Sequence, residues 1–179
     1  MKNIKDYNLD ELKNEFKNMN EKPYRAEQVF TWLYKDKVKS FDEMTNISKE
    51  SREKLKQEYT MCNFNIVKKL ESKDGTKKYL FDVLDGNMIE TVLMQYHHGK
   101  TLCVSSQIGC KMGCKFCAST GIPFVRNLTS GEIVEQILAV EQDENTKISN
   151  IVFMGIGEPF DNYENVLNAI GILNNQKGL

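Results

Sequence analysis

No apolar run in the sequence approaches the roughly eighteen residues that a membrane-crossing helix needs. The first residues, Met1-Lys-Asn-Ile-Lys-Asp6, are polar and lead into an amphipathic segment, so nothing reads as a signal peptide. These two absences predict a soluble, cytoplasmic protein with no membrane partner. Cysteine is scarce: five residues, an odd number, three of them bunched. That pattern excludes a disulfide framework and, in a reducing compartment, points to metal binding or catalysis. Net charge is also lacking, at −1 over 179 residues, so no global field marks a nucleic-acid binder. Any basic surface is local, built from clusters such as Lys68-Lys69, Lys77-Lys78 and Lys35/Lys37/Lys39. Each of these clusters reads first as a solvated face.

What is present is Cys110-Lys-Met-Gly-Cys114-Lys-Phe-Cys117, spaced C-x3-C-x2-C. A helix cannot aim all three sulfurs at one point at this spacing, whereas a loop containing Gly113 can. Three converging thiolates describe a metal or iron–sulfur site. Structural zinc is closed by four protein ligands and brings cysteine pairs or histidines. Such a set would need a remote fourth ligand here. His97 and His98 read as an exposed turn pair. A 4Fe–4S cluster held by three cysteines leaves one iron open, and that is the favoured reading. Phe116, beside Cys117, is expected to screen the cluster from water.

The chain falls into three stretches. Residues 1–60 read as a small helical bundle. Asn8 caps a first helix carrying Leu9, Leu12, Phe16 and Met19, Pro23 punctuates, and Arg25 to Tyr34 forms a second. Ser40-Phe-Asp-Glu43 fits a capping box for a short third, and Ser48 caps a fourth reaching about Tyr59. Residues 61–106 carry Asp74-Gly75, Asp85-Gly86 and His98-Gly99 between β-prone runs, the signature of an antiparallel meander. The clearest strands are Tyr79–Val83, Ile89–Met94 and Thr101–Ser105.

From residue 107 to 179 the order after the cysteine loop is helix, strand, helix. Thr129 or Ser130 caps a helix from Gly131 to about Gln142, Ile148–Met154 forms a buried strand, and Asn165–Asn174 forms another helix. This implies a parallel sheet with crossover helices, the first βα units of an incomplete barrel. Gly178 reads as a helix C-cap with a strand due to follow. The fold class is therefore an α+β N-terminal region followed by a truncated (βα) barrel, the N-terminal fragment of a longer enzyme.

Gly155-x-Gly157 follows a strand but lacks the third glycine of a dinucleotide loop, because Phe160 and Asp161 occupy its place. What remains is a strand end with free backbone and one carboxylate, Glu158, a combination that suits an ammonium group. Cys103 reads first as a small buried apolar side chain. Glu90, between Ile89 and Thr91, reads as solvent-exposed by alternation, and Cys62 carries no partner pattern.

Taken together, the strings Cys103-Val-Ser-Ser-Gln-Ile-Gly-Cys110, Phe116-Cys-Ala-Ser-Thr120, Arg126-Asn127-Leu128 and Met154-Gly-Ile-Gly-Glu-Pro159 resemble the radical S-adenosylmethionine (SAM) RNA adenine-C2 methyltransferases. Glu21–Ala26 and Ser40–Met44 resemble that family's N-terminal domain, so the likeness covers nearly the whole chain. It is closer to RlmN than to its sibling Cfr, which modifies adenine C8. The resemblance implies that Cys110, Cys114 and Cys117 hold a 4Fe–4S cluster and that Gly157 and Glu158 help bind SAM. It further implies that Cys103 assists loss of the C2 proton and resolves a protein–RNA adduct through a disulfide with a carrier cysteine. Glu90 matches a proposed proton acceptor. Adenine C2 is electron-poor, so polar methyl transfer fails there, which accounts for a radical route.

The implied partners are 23S rRNA, tRNA beside the anticodon, and an electron donor such as flavodoxin or ferredoxin, with the enzyme a monomer. The family's methyl-carrying cysteine has no counterpart before Leu179, so this chain alone is expected not to complete turnover. The readings left open beside this one are another radical SAM enzyme and a non-catalytic metal-stabilised RNA-binding module.

Overall fold

The structure, a computed structural model, describes residues 1–178. It opens with a two-residue strand β1 (Lys2–Asn3) and a 3-10 turn at Ile4–Asp6. Asn8 then caps α1 (Leu9–Asn18): its side-chain oxygen accepts from the amides of Asp10 and Glu11, and Glu11 returns a 2.9 Å bond from the Asn8 amide. This reciprocal cap satisfies N–H groups that have no partner inside the helix. Leu9, Leu12 and Phe16 turn inward, as the spacing predicts. Helix α2 (Pro23–Tyr34) starts earlier than Arg25. Pro23 is its first residue rather than a break, because the missing N–H is unneeded there and proline's fixed φ is already helical.

Ser40–Glu43 does not form a capping box. The segment makes one 3-10 turn, Phe41–Glu43, in which the Ser40 hydroxyl gives its proton to Glu43 and itself accepts no backbone amide. Helix α3 (Lys49–Glu58) is capped by Ser48 and hands over to β2 (Tyr59–Thr60), which pairs in parallel with β1.

A five-stranded sheet follows, in the order β3-β4-β5-β6-β9. Its members are β3 (Asn65–Glu71), β4 (Lys77–Asp82), β5 (Met88–Tyr96), β6 (Gly99–Cys103) and β9 (Asn150–Val152). The first four are the antiparallel meander, turning at the Asp-Gly and His-Gly positions. Strands β6 and β9 pair in parallel, with Thr101 facing Asn150 and Cys103 facing Val152. Between them lie a short ladder of β7 (Gln107–Ile108) with β8 (Arg126–Asn127) and the helix α4 (Ser130–Asp143). The meander and the first βα unit thus share one continuous sheet. Strand β3 gave no sequence signal: every residue in it is exposed, so apolar and polar positions do not alternate.

Helix α4 is covered almost all round. Toward the sheet, Gln136 bonds Thr91 and the Ser105 backbone. On another side Lys5, 2% exposed, reaches Glu135 at 2.5 Å and also donates to Cys62 O and Asn63 Oδ1. The polar reading of residues 1–6 therefore missed a buried lysine. Helix α5 (Tyr163–Leu173) packs beside α4.

Two expectations need correction here. The buried strand expected over Ile148–Met154 is confined to Asn150–Val152 and is half-exposed, because β9 has only one neighbour, β6, among the described residues. Gly178 is not a helix cap: α5 ends with Asn174 as its cap, and Gly178 lies against the Phe30 ring.

Candidate active site

Helices α4 and α5 pack toward one face of the sheet, which carries the buried Tyr79, Phe81, Ile89, Thr91, Leu93 and Leu102. On the other face of β5 and β6 alternate the residues the sequence singled out. Val92 stands across from Cys103. Period-two alternation then puts Glu90 on the same face, one pleat further along β5. The two residues are diagonal neighbours. Glu90 Oε1 pairs with Lys78 Nζ at 2.7 Å, and its backbone carbonyl accepts the Ser105 hydroxyl at 2.6 Å. It is half-exposed, as alternation predicts. Cys103 opens onto a cleft of about 710 Å3 lined by Val92, Met94, Val152 and Met154. Burial pushes its thiol pKa up, and a hydrogen bond from the Met154 amide works against that rise.

The three further cysteines lie on the irregular stretch between β7 and β8. Cys110 Sγ accepts the Met112 amide at 3.4 Å, the Cys117 amide donates to Cys114 O at 3.1 Å, and Thr120 Oγ1 donates to the same carbonyl at 2.6 Å. Cys114 and Cys117 are exposed and Cys110 is half-buried. Among the described residues, no three His, Cys, Asp or Glu side chains are gathered as a metal-holding group. The donor set nonetheless fits a cluster: three thiols, one loop free of regular structure, and an amide already donating to sulfur.

The glycine that constrains this loop is not Gly113, around which there is open space. It is Gly109, at φ +71°, where a Cβ would stand 1.8 Å from Pro123 O. Phe116, expected to screen the cysteines, is 93% exposed and covers none of them. His97 and His98 are at the β5–β6 turn as expected, the ring of His98 stacked on Tyr96.

The backbone after β9 turns back over β6 and β7. Gly155 donates to Val104 O at 3.1 Å, and the Ile156 amide takes the Ser105 hydroxyl as acceptor at 3.1 Å. Gly157 has φ +106°, a conformation side-chain-bearing residues rarely adopt. Glu158 caps a 3-10 turn at Pro159–Asn162 by accepting from the Phe160 amide at 3.0 Å through Oε1. Its Oε2 takes no hydrogen bond among the described residues. The residue that sequence reasoning missed is Gln107. Fully buried, it bonds the Glu158 amide at 2.9 Å. Only its position between a strand and a cysteine loop could have flagged it.

Residues 2–61 match the family described as the ribosomal RNA large subunit methyltransferase N-terminal domain. The chain superimposes on a radical SAM methyltransferase from Sphaerobacter thermophilus with a TM-score of 0.89 at 38% identity, covering 99% of this chain and 53% of that one. In fold and in sequence the chain is thus similar to about half of a radical SAM methyltransferase.

Over its whole length the chain is 52% identical to the probable dual-specificity RNA methyltransferase RlmN of Clostridium novyi, of which it covers 52%. It is 49% identical to the protein of the same name in Thermotoga neapolitana, again covering 52% of that relative. The chain spans about half the length of the curated relatives it matches. No helix among the described residues is long and apolar enough to cross a membrane.

Proposed function

We propose that the chain carries the cluster- and SAM-binding part of an RNA methyltransferase that methylates C2 of an adenosine in 23S rRNA and in tRNA. Support comes from the likeness to relatives of that name. The observation that carries the reading is local: one end of the sheet holds together the root of the three-cysteine loop, the Gly157–Glu158 strand end and the face bearing Cys103. Cys110, Cys114 and Cys117 would hold the 4Fe–4S cluster, which with SAM supplies the one-electron chemistry that an electron-poor carbon requires. Gly157 leaves its backbone groups approachable, and the unengaged oxygen of Glu158 would accept from the SAM ammonium.

Cys103 would act on the RNA. Its half-buried thiol has its pKa raised by burial, and Glu90, the carboxylate on the same face, would accept the proton lost from C2. A reduced flavodoxin or ferredoxin would supply electrons. The helical unit and meander would contact RNA shape and backbone rather than base edges.

The test uses the complete gene product, purified anaerobically and reconstituted. Iron and sulfide at the ratio of one cubane cluster, and 2-methyladenosine in digested rRNA and tRNA, are expected. Zinc without sulfide would replace the reading with that of a metal-stabilised RNA-binding module. Methylation at C8 instead would make the protein Cfr-like. Cys103→Ala is expected to keep its iron yet trap covalently bound RNA, and wild-type turnover by that variant would remove Cys103 from the mechanism.

A further inference from the structure

We propose that Gln107 is a positioning residue that fixes the SAM-contacting backbone at Gly157–Glu158 relative to the cysteine loop. This rests on the reading that those two residues contact SAM. Gln107 is fully buried on β7, three residues before Cys110. Its Oε1 accepts from the Glu158 amide at 2.9 Å, and its Nε2 donates to Asn127 Oδ1 at 2.8 Å. A backbone N–H can only donate, so the glutamine oxygen must face Glu158 and the amino group must face Asn127. The Gln107 amide also donates to Ile156 O at 3.2 Å. Asn127 in turn donates from Nδ2 to Asp161 O at 3.2 Å. The segment from Ile156 to Asp161 is thereby tied at several points to the β7–β8 ladder.

The side chain also sets a steric floor. A Cβ at position 157 would stand 2.6 Å from Gln107 Cβ and 2.7 Å from Cγ, so Gly157 rests directly on the glutamine stem. Few side chains meet all these demands. Glutamate keeps an acceptor for Glu158 but loses the donor for Asn127. Leucine leaves both partners unpaired beside a fully buried side chain, where an unmade hydrogen bond is costly. Because β7 runs straight into Gly109 and Cys110, one buried amide couples the strand end that would carry SAM to the loop that would carry the cluster. Gln107 is not a catalytic residue, since it reaches neither reacting atoms nor ligand and acts through the Glu158 backbone.

The experiment compares wild type, Gln107→Met and Asn127→Ala in the complete gene product. Methionine keeps the stem under Gly157 and loses both hydrogen bonds. Amide hydrogen exchange is followed by mass spectrometry over residues 156–161 in the cluster-free protein. SAM affinity is measured by anaerobic equilibrium dialysis of the reconstituted protein, with iron content as control. Expected for Gln107→Met are faster exchange across that segment and SAM affinity weakened by about tenfold, the fold-change of one lost buried hydrogen bond, at unchanged iron content. Asn127→Ala, one bond further from the backbone, is expected to show a smaller loss in both, and it keeps the test readable if the methionine variant folds poorly. Wild-type exchange and wild-type SAM affinity in both variants would overturn the proposal. Failure of the wild type itself to bind SAM would overturn the reading beneath it, and the proposal with it.

Discussion

Lys5 and Glu135 meet at 2.5 Å with side chains 2% and 5% exposed, although 130 residues separate them. The pair joins the 3-10 turn before α1 to the middle of α4. Burial pushes the Glu135 carboxyl pKa up, and Lys5, with the Phe64 amide, holds it down. Removing the lysine alone leaves a carboxyl buried without its counter-charge. Lys5→Met is therefore expected to cost about 3–5 kcal/mol in urea unfolding. Lys5→Met with Glu135→Leu should recover most of that loss. A single variant as stable as wild type would show that water reaches the site.

Gly109 and Gly113, two of the three glycines of the cysteine loop, should behave oppositely. Gly109→Ala meets a left-handed φ and a carbonyl oxygen 1.8 Å away, so the chain must shift. The expected cost is about 3 kcal/mol or more, with reduced iron uptake on reconstitution. Gly113→Ala has open space and should leave both stability and iron content as they are. Equal behaviour of the two variants in melting and iron assays would refute the assignment of Gly109 as the constrained position.

Cys103 should alkylate with an upward-shifted pH profile. Its folded pKa lies above the ordinary thiol value because burial disfavours the thiolate. Peptide mapping after brief iodoacetamide treatment is expected to show its rate rising at higher pH than that of a cysteine in a model peptide. Cys62, pushed up to about 12 chiefly by burial, should react more slowly still. A Cys103 profile at or below the model peptide's would contradict the desolvated placement.

Acid stability should depend on Glu144. Burial opposes its ionisation, yet hydrogen bonds from Lys69, Lys77 and Tyr79 hold its carboxyl at about 2. A depressed folded pKa contributes stability that is complete above the unfolded carboxylate value and is lost as pH falls toward about 2. Glu144→Gln should therefore flatten the acid limb of the melting temperature against pH and lower stability at neutral pH. An unchanged acid limb would show that these partners do not hold together in solution.

The legible parts of the sequence were those where a local rule acts alone. Asn8 caps its helix as expected, as does Thr129 of the two candidates Thr129 and Ser130, and both caps prove reciprocal, each with a glutamate three residues on. Asp-Gly and His-Gly turns fixed the meander because they require a left-handed backbone at glycine. The C-x3-C-x2-C spacing falls on an irregular loop, as expected, and the Gly-x-Gly-Glu-Pro string follows strand β9. Illegible were residues whose role depends on a distant partner. Lys5 looks like a solvated terminal lysine until Glu135 is beside it. Gln107 looks like one polar residue among several until the Glu158 amide arrives. Ser40-x-x-Glu43 satisfies the capping pattern by composition, but its hydroxyl donates where a cap must accept. Strand β3 follows no alternation because neither of its faces is covered.

The central claim is that three cysteines leave one iron free for SAM. Mössbauer and EPR spectra of the reconstituted protein, taken before and after adding SAM, test it most directly. The account predicts that one iron of four becomes spectroscopically distinct and that the reduced signal shifts on SAM addition. Identical spectra with and without SAM, at full iron loading, would contradict it.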